Sequence, residues 1–160
     1  MAKNVKPILV ECPRRLIEGF KREAKRVFPK ETYALLIGFD EESPAGRRVS
    51  ITEIHYPEDA ERFCTTQRAD WQDAWLVDAA EHAKEAGTEL IGDIHSHPWT
   101  RAEWEAINGI PGRQMSEEDC DKFKWNRIAG ICRVYETRTG KLRASVRFWP
   151  PLTPVKMRIT

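Results

Sequence analysis

Four histidines occur in this 160-residue chain, and two of them stand one residue apart. His95 and His97 lie in "IGDIHSHPWT", residues 91 to 100, at the end of an apolar run and directly before Pro98. On an extended strand residues i and i+2 point to the same face, so both imidazoles project together while Ser96 points away. Two imidazoles on one face can share a metal ion. A zinc site needs at least one more protein ligand, and a catalytic one keeps a further position for water. Pro98 cannot continue a strand ladder, which leaves the pair at a sheet rim where ligands reach it. The plainer alternative is a pair of strand-end histidines that only hydrogen-bond.

A third ligand has a candidate in "SEED", residues 116–119, where Asp119 falls in the first turn of a helix predicted over "SEEDCDKFKW". The same spacing is that of a capping box, with Ser116 as the N-cap and acidic residues beside the helix N-terminus. A carboxylate, Glu31, stands just before the apolar run "TYALLIGF". Serine, histidine and carboxylate together also suggest a hydrolase triad, but the nucleophile elbow G-x-S-x-G is absent, and that reading is set aside. His55, at the end of a predicted strand, and His82, among alanines on a predicted helix, are expected to play structural parts.

These residues need elements to hold them. Leu16, Phe20, Ala24 and Val27 recur at three or four residues, which predicts an amphipathic helix from Pro13 to about Phe28, with proline at its tolerant first turn. "TYALLIGF" is a short continuous apolar run suited to a strand buried on both faces. "RRVSITEIHY" alternates Val49, Ile51 and, after Glu53, His55 with polar neighbours, as a second strand does. Trp71, Trp75, Ala79 and Ala83 follow at i+4 steps and end at Gly87, predicting a second helix. "TELIGDIH" is then a third strand. "RAEWEAI" suits a short helical turn, Gly109, Pro111 and Gly112 mark a loop, and "RIAGICRVYETRTGKLRASVRFW" reads as a hairpin turning at "TRTG". The expected fold is α/β, a mixed sheet flanked by helices, in a single domain over residues 1–160.

Composition narrows the function classes. Hydrophobic residues make up 41% and charged residues 32%, an ordinary globular balance with no low-complexity tract. The longest apolar stretch, Tyr33 to Phe39, is far short of the roughly 20 residues of a membrane-spanning helix. The N-terminus lacks the apolar core of a secretory signal, so a cytoplasmic location and no membrane partner are expected. Cys12, Cys64, Cys120 and Cys132 form no C-x-x-C pair and are expected to be reduced, buried thiols. Net charge is +1, which makes nucleic acid an unlikely partner, although the charge is uneven. Residues 1–30 carry nine Lys/Arg against three Asp/Glu, residues 31–120 seven against twenty, and residues 121–160 ten against two. The basic ends either spread as solvated faces or fold together beside the acidic centre into a steering patch.

"E-T-Y-A-L-L-I-G", "H-S-H-P" and "S-E-E-D", in this order, resemble the JAB1/MPN/Mov34 (JAMM) metalloprotease domain in its catalytically competent form, over roughly residues 13 to 149. The resemblance implies a JAB1/MPN-like fold with cytidine-deaminase-like architecture, of the bacterial stand-alone type. It implies one Zn2+ held by His95, His97 and Asp119, Glu31 as general base and Ser116 as a stabiliser of the oxyanion. Such a zinc ion lowers the pKa of its water to about 7 and polarises an amide carbonyl. The implied activity is that of an (iso)peptidase cleaving after the C-terminus of ubiquitin or a ubiquitin-like protein, by deconjugation or precursor processing. E1-like and E2-like partners in a bacterial conjugation or antiviral system follow by analogy. A non-catalytic scaffold of the same fold, or a peptidase for a sulfur-carrier or phage-tail protein, are the alternatives. One departure is the spacer between Pro98 and Ser116, which runs for seventeen residues from Trp99 to Met115 and is longer than the family's usual one. It offers Trp99 and Trp104 as substrate contacts or, equally, as anchors of the loop.

Overall fold

In the computed structural model, the described residues are 8–65, 72–100, 102–103, 106, 127–149 and 155–159. The chain opens with β1 (Ile8–Cys12) and turns at Pro13 into α1 (Arg14–Val27), whose apolar face is Ile17, Phe20 and Ala24. A long hairpin follows, β2 (Tyr33–Ser43) and β3 (Gly46–His55), and then a short 3-10 turn at Ala60–Phe63. Next come α2 (Asp73–Glu85) and β4 (Glu89–His97). The hairpin β5 (Ile128–Glu136) and β6 (Leu142–Trp149) and the short β7 (Val155–Ile159) complete the order.

The seven strands form one mixed sheet in the order β6-β5-β4-β2-β3-β1-β7. Parallel pairs are β1 with β3, β1 with β7 and β4 with β5; the other neighbours are antiparallel. One face carries α1: Ile17, Phe20 and Ala24 pack with Ala34, Leu36, Ile94, Cys132 and Val134 in the main core. The other face carries α2, whose Trp75 and Ala79 cover Tyr33 and Leu35. Central strands covered on both faces read as near-continuous apolar runs. That is why "YALLI" at the start of β2 is buried without interruption.

The structure departs from the expected elements in two places. Neither β1 nor β7 was anticipated: each is five residues long, too short for a periodic signal, and each is held by a parallel partner distant in sequence. The second departure concerns the alternation of β3. Ile51 lies opposite Gly38 while Glu53 lies opposite Ile37, so Thr52 is an extra residue in the ladder and the phase of the strand slips there. Val49, Ile51 and Ile54 consequently all enter the α1 core, while Glu53 and His55 turn to the α2 face. His55 therefore does not share a face with Val49 and Ile51.

Cys12, Cys64 and Cys132 are buried and in no disulfide, as expected of reduced thiols, and Cys120 lies outside the described residues. Burial pushes the thiols of Cys12 and Cys132 up to about 12, which keeps them protonated and unreactive. Among the described residues no helix is long and apolar enough to cross a membrane.

Candidate metal centre

β4 ends at His97, before Pro98, as the sequence predicts. His95 and His97 are both buried, with 8% and 5% of their surface exposed, and the Nε2 atoms meet at 2.9 Å. Their rings are 4.8 Å apart at centroid and inclined by 57°. Strand geometry puts both on the α2 face, since His95 lies opposite Tyr33 and Tyr33 packs under Trp75 at 5.7 Å.

The start of β2 is tied to the end of β4 in an unusual way. Ser96 N–H donates to the Thr32 carbonyl at 3.0 Å, while Thr32 N–H donates not to the facing carbonyl but to the Ser96 hydroxyl at 2.8 Å. This clasp sets Thr32 opposite Ser96. Glu31 directly precedes Thr32, just before β2. Glu31 is 5% exposed, and its own N–H donates to the Thr65 carbonyl at 2.7 Å. It lines a cleft shared with Arg26, Lys30, Glu61 and Cys64. Tyr33, His95 and His97 thus occupy one corner of one sheet face, and Glu31 precedes Tyr33 by two residues in the chain. Trp99 stands beside it, with its ring 6.0 Å from that of His97. Burial, reinforced by the nearby Asp93 carboxylate, pushes the Tyr33 phenol far above its ordinary range, so this wall of the site stays neutral.

Whether zinc suits this corner is a question of donor type and spacing. Two nitrogens bound tetrahedrally at about 2.0–2.1 Å from zinc stand about 3.4 Å apart. The observed 2.9 Å is that convergence with the rings slightly closed, one imidazole nitrogen donating to the other. Buried, converging imidazoles fit the ion as two of its ligands. Asp119 and Ser116, predicted as ligand and oxyanion stabiliser, lie outside the described residues, as does Trp104.

A second gathering is not visible in the sequence. Glu53, His55 and His82 each bring a ligand atom within 4.8 Å of the others. Their separation in sequence hides it, because the phase slip at Thr52 and the landing of α2 are both needed to assemble it.

The family described as prokaryotic homologs of the JAB domain matches residues 13–104, more than half of the chain, and the chain belongs to that family. The match takes in Glu31, His95, His97, Trp99 and Trp104, and it ends before Ser116 and Asp119. The solution structure of a protein from Desulfitobacterium hafniense is similar with a TM-score of 0.53 at 14% identity, covering 95% of this chain and 94% of that one. At that identity the likeness concerns the fold. The crystal structure of a JAB1/MPN domain protein from Archaeoglobus fulgidus aligns with a TM-score of 0.48 and 17% identity over 99% of this chain and 100% of its own. No curated protein matches the chain.

Proposed function

We propose that the chain is a zinc-dependent (iso)peptidase that hydrolyses the bond after the C-terminus of a ubiquitin-like protein. The observation that carries this reading is the buried convergence of His95 and His97 Nε2, with the buried Glu31 next in sequence to Thr32, which is clasped to Ser96. A scaffold has no use for two buried imidazoles aimed at one point. Zinc held there by His95, His97 and Asp119 would supply Lewis acidity, polarising the scissile carbonyl and making water acidic.

The chain's own residues supply the remainder. The Glu31 carboxylate takes a proton from the attacking water and passes it to the departing amine, a shuttle worth about 10² to 10⁴ in rate for a well-placed group. Its backbone is held on two sides: by the Thr65 carbonyl through its own N–H, and by the Thr32–Ser96 clasp next door. Such fixation matters because a small misplacement of a base costs rate steeply. Ser116 would stabilise the developing oxyanion, and Trp99, beside His97, would contact the substrate. A ubiquitin-like protein or its conjugate is the proposed substrate, with E1-like and E2-like enzymes of the same system as partners.

The test uses Glu31→Gln, nearly isosteric and unable to accept the proton. Zinc content, melting temperature and substrate binding should match the wild type, while cleavage of a ubiquitin-like protein fused through its C-terminus to a tag should fall by about 10² or more. Turnover at the wild-type rate refutes the mechanism. Loss of zinc instead makes Glu31 a ligand and the site structural. Absence of cleavage by the zinc-loaded wild type across ubiquitin-like, sulfur-carrier and phage-tail substrates returns the scaffold reading.

A further inference from the structure

On the α2 face, across the sheet from His95, three side chains of ligand type meet. His82 Nε2 lies 2.9 and 3.0 Å from the two carboxylate oxygens of Glu53, and His55 Nδ1 lies 3.4 Å from Glu53 Oε1. The two imidazole rings are 4.9 Å apart at centroid and inclined by 34°. We infer that Glu53, His55 and His82 form a second cation site, one that takes a divalent ion of the zinc class and clips α2 onto β3.

Donor chemistry selects the ion. Two imidazoles and one carboxylate suit zinc and its transition-metal neighbours, whereas calcium and magnesium ask for oxygen ligands throughout. The spacing also fits, since neighbouring ligands of a tetrahedral zinc stand about 3.4 Å apart. The His55–Glu53 separation already has that value, and the shorter His82–Glu53 contact needs to open by about half an ångström. The three side chains are 28%, 39% and 45% exposed, in the order His55, Glu53, His82, so an ion enters from solvent and keeps a water position. His82 lies in the last turn of α2, where the partial negative charge of the helix end favours a cation.

The site is separate from the one described above. His55 lies opposite Leu35, which lies opposite Asp93, while His95 lies opposite Tyr33. Two strand spacings sideways and two residues along give roughly 12 Å between the backbones of His55 and His95. The buried Leu35 and Tyr33 stand between them. The two sites share a helix all the same. Trp75, about two turns before His82 on α2, packs on Tyr33, the cross-strand neighbour of His95. An ion at His82 fixes the helix that roofs the first site.

The experiment strips the protein with a chelator, dialyses it, and titrates zinc sulfate by calorimetry, with cobalt(II) absorption as a second readout of coordination. The wild type should take up two equivalents, His95→Ala/His97→Ala one, and His82→Gln one. Combining the three changes should abolish uptake. Far-ultraviolet circular dichroism of each metal-free variant checks the fold. Glu53→Gln serves as an independent removal of the site should His82→Gln disturb α2, and it should likewise lose one equivalent. In zinc, the melting temperature of His95→Ala/His97→Ala should rise, and that rise should vanish when His82→Gln is added. If the wild type binds the same number of equivalents as both His82→Gln and Glu53→Gln, the three residues are only an ion pair with a stacked ring, and the inference is overturned. That failure leaves the His95/His97 site untouched, because the two pairs of variants report on different equivalents.

Discussion

Ser96 stands between the two histidines and faces the other way, and its hydroxyl accepts the Thr32 N–H at 2.8 Å inside the core. Replacing it with alanine leaves a buried donor without its acceptor, which costs about 1–3 kcal/mol. Ser96→Ala should therefore lower unfolding stability by that amount in a urea titration, whereas a change within a few tenths of a kcal/mol would mean that the facing carbonyl takes over. Much of this corner was legible at the level of single residues. The i, i+2 spacing of His95 and His97 dictates a shared face, and Glu31 next to a fully apolar run marks a carboxylate at the mouth of a central strand. The clasp was not legible, because a serine between two histidines carries no sign of which backbone group will face it. His55 and His82 were read as structural, each by itself, and only the folded chain shows that they converge on Glu53.

Elements position these groups through close backbone contact as much as through side chains. Gly92 in β4 is the tightest case: a Cβ there would lie 1.7 Å from the Ile128 carbonyl oxygen of the parallel neighbour β5. Gly92→Ala should force β4 and β5 apart, with a cost in the upper part of, or beyond, the roughly 1–3 kcal/mol of ordinary overpacking. Equilibrium unfolding in guanidinium checks it, and a midpoint equal to the wild type's would show that the pair can slide apart freely. α1, the strands β2 and β3, α2, β4 and the β5–β6 hairpin were all readable because each is long enough to show its period or its turn. β1 and β7 were not, and the slip at Thr52 was not, since a bulge is set by the partner strand's register and leaves no periodic trace. The helix predicted over residues 116–125, with Ser116 and Asp119, lies outside the described residues.

At the scale of the whole molecule, the basic C-terminal segment divides between the two edges of the sheet, β6 on one side and β7 beside β1 on the other. On β6, Arg143 and Arg147 are exposed, and the register links Arg147 to Ile131 and Ile131 to His95. The arginines thus lie on the same face as His95 and His97, two strands away, where they can steer an acidic partner. Arg143→Glu/Arg147→Glu should lower kcat/KM on an acidic ubiquitin-like substrate by about tenfold at low ionic strength, and the deficit should shrink as salt approaches about 1 M, where screening acts within about 3 Å. A deficit that does not change with salt would place the effect in the fold instead. The opposite edge has a consequence in time. β1 pairs with β3 on one side and with β7 on the other, so β1 receives one of its partners from a strand synthesised long after it. At synthesis rates of about 5–20 residues per second, Ile8 precedes Val155 by roughly 7 to 30 seconds. For that interval β1 is a sheet border awaiting closure, and its five-residue length limits what else can pair with it.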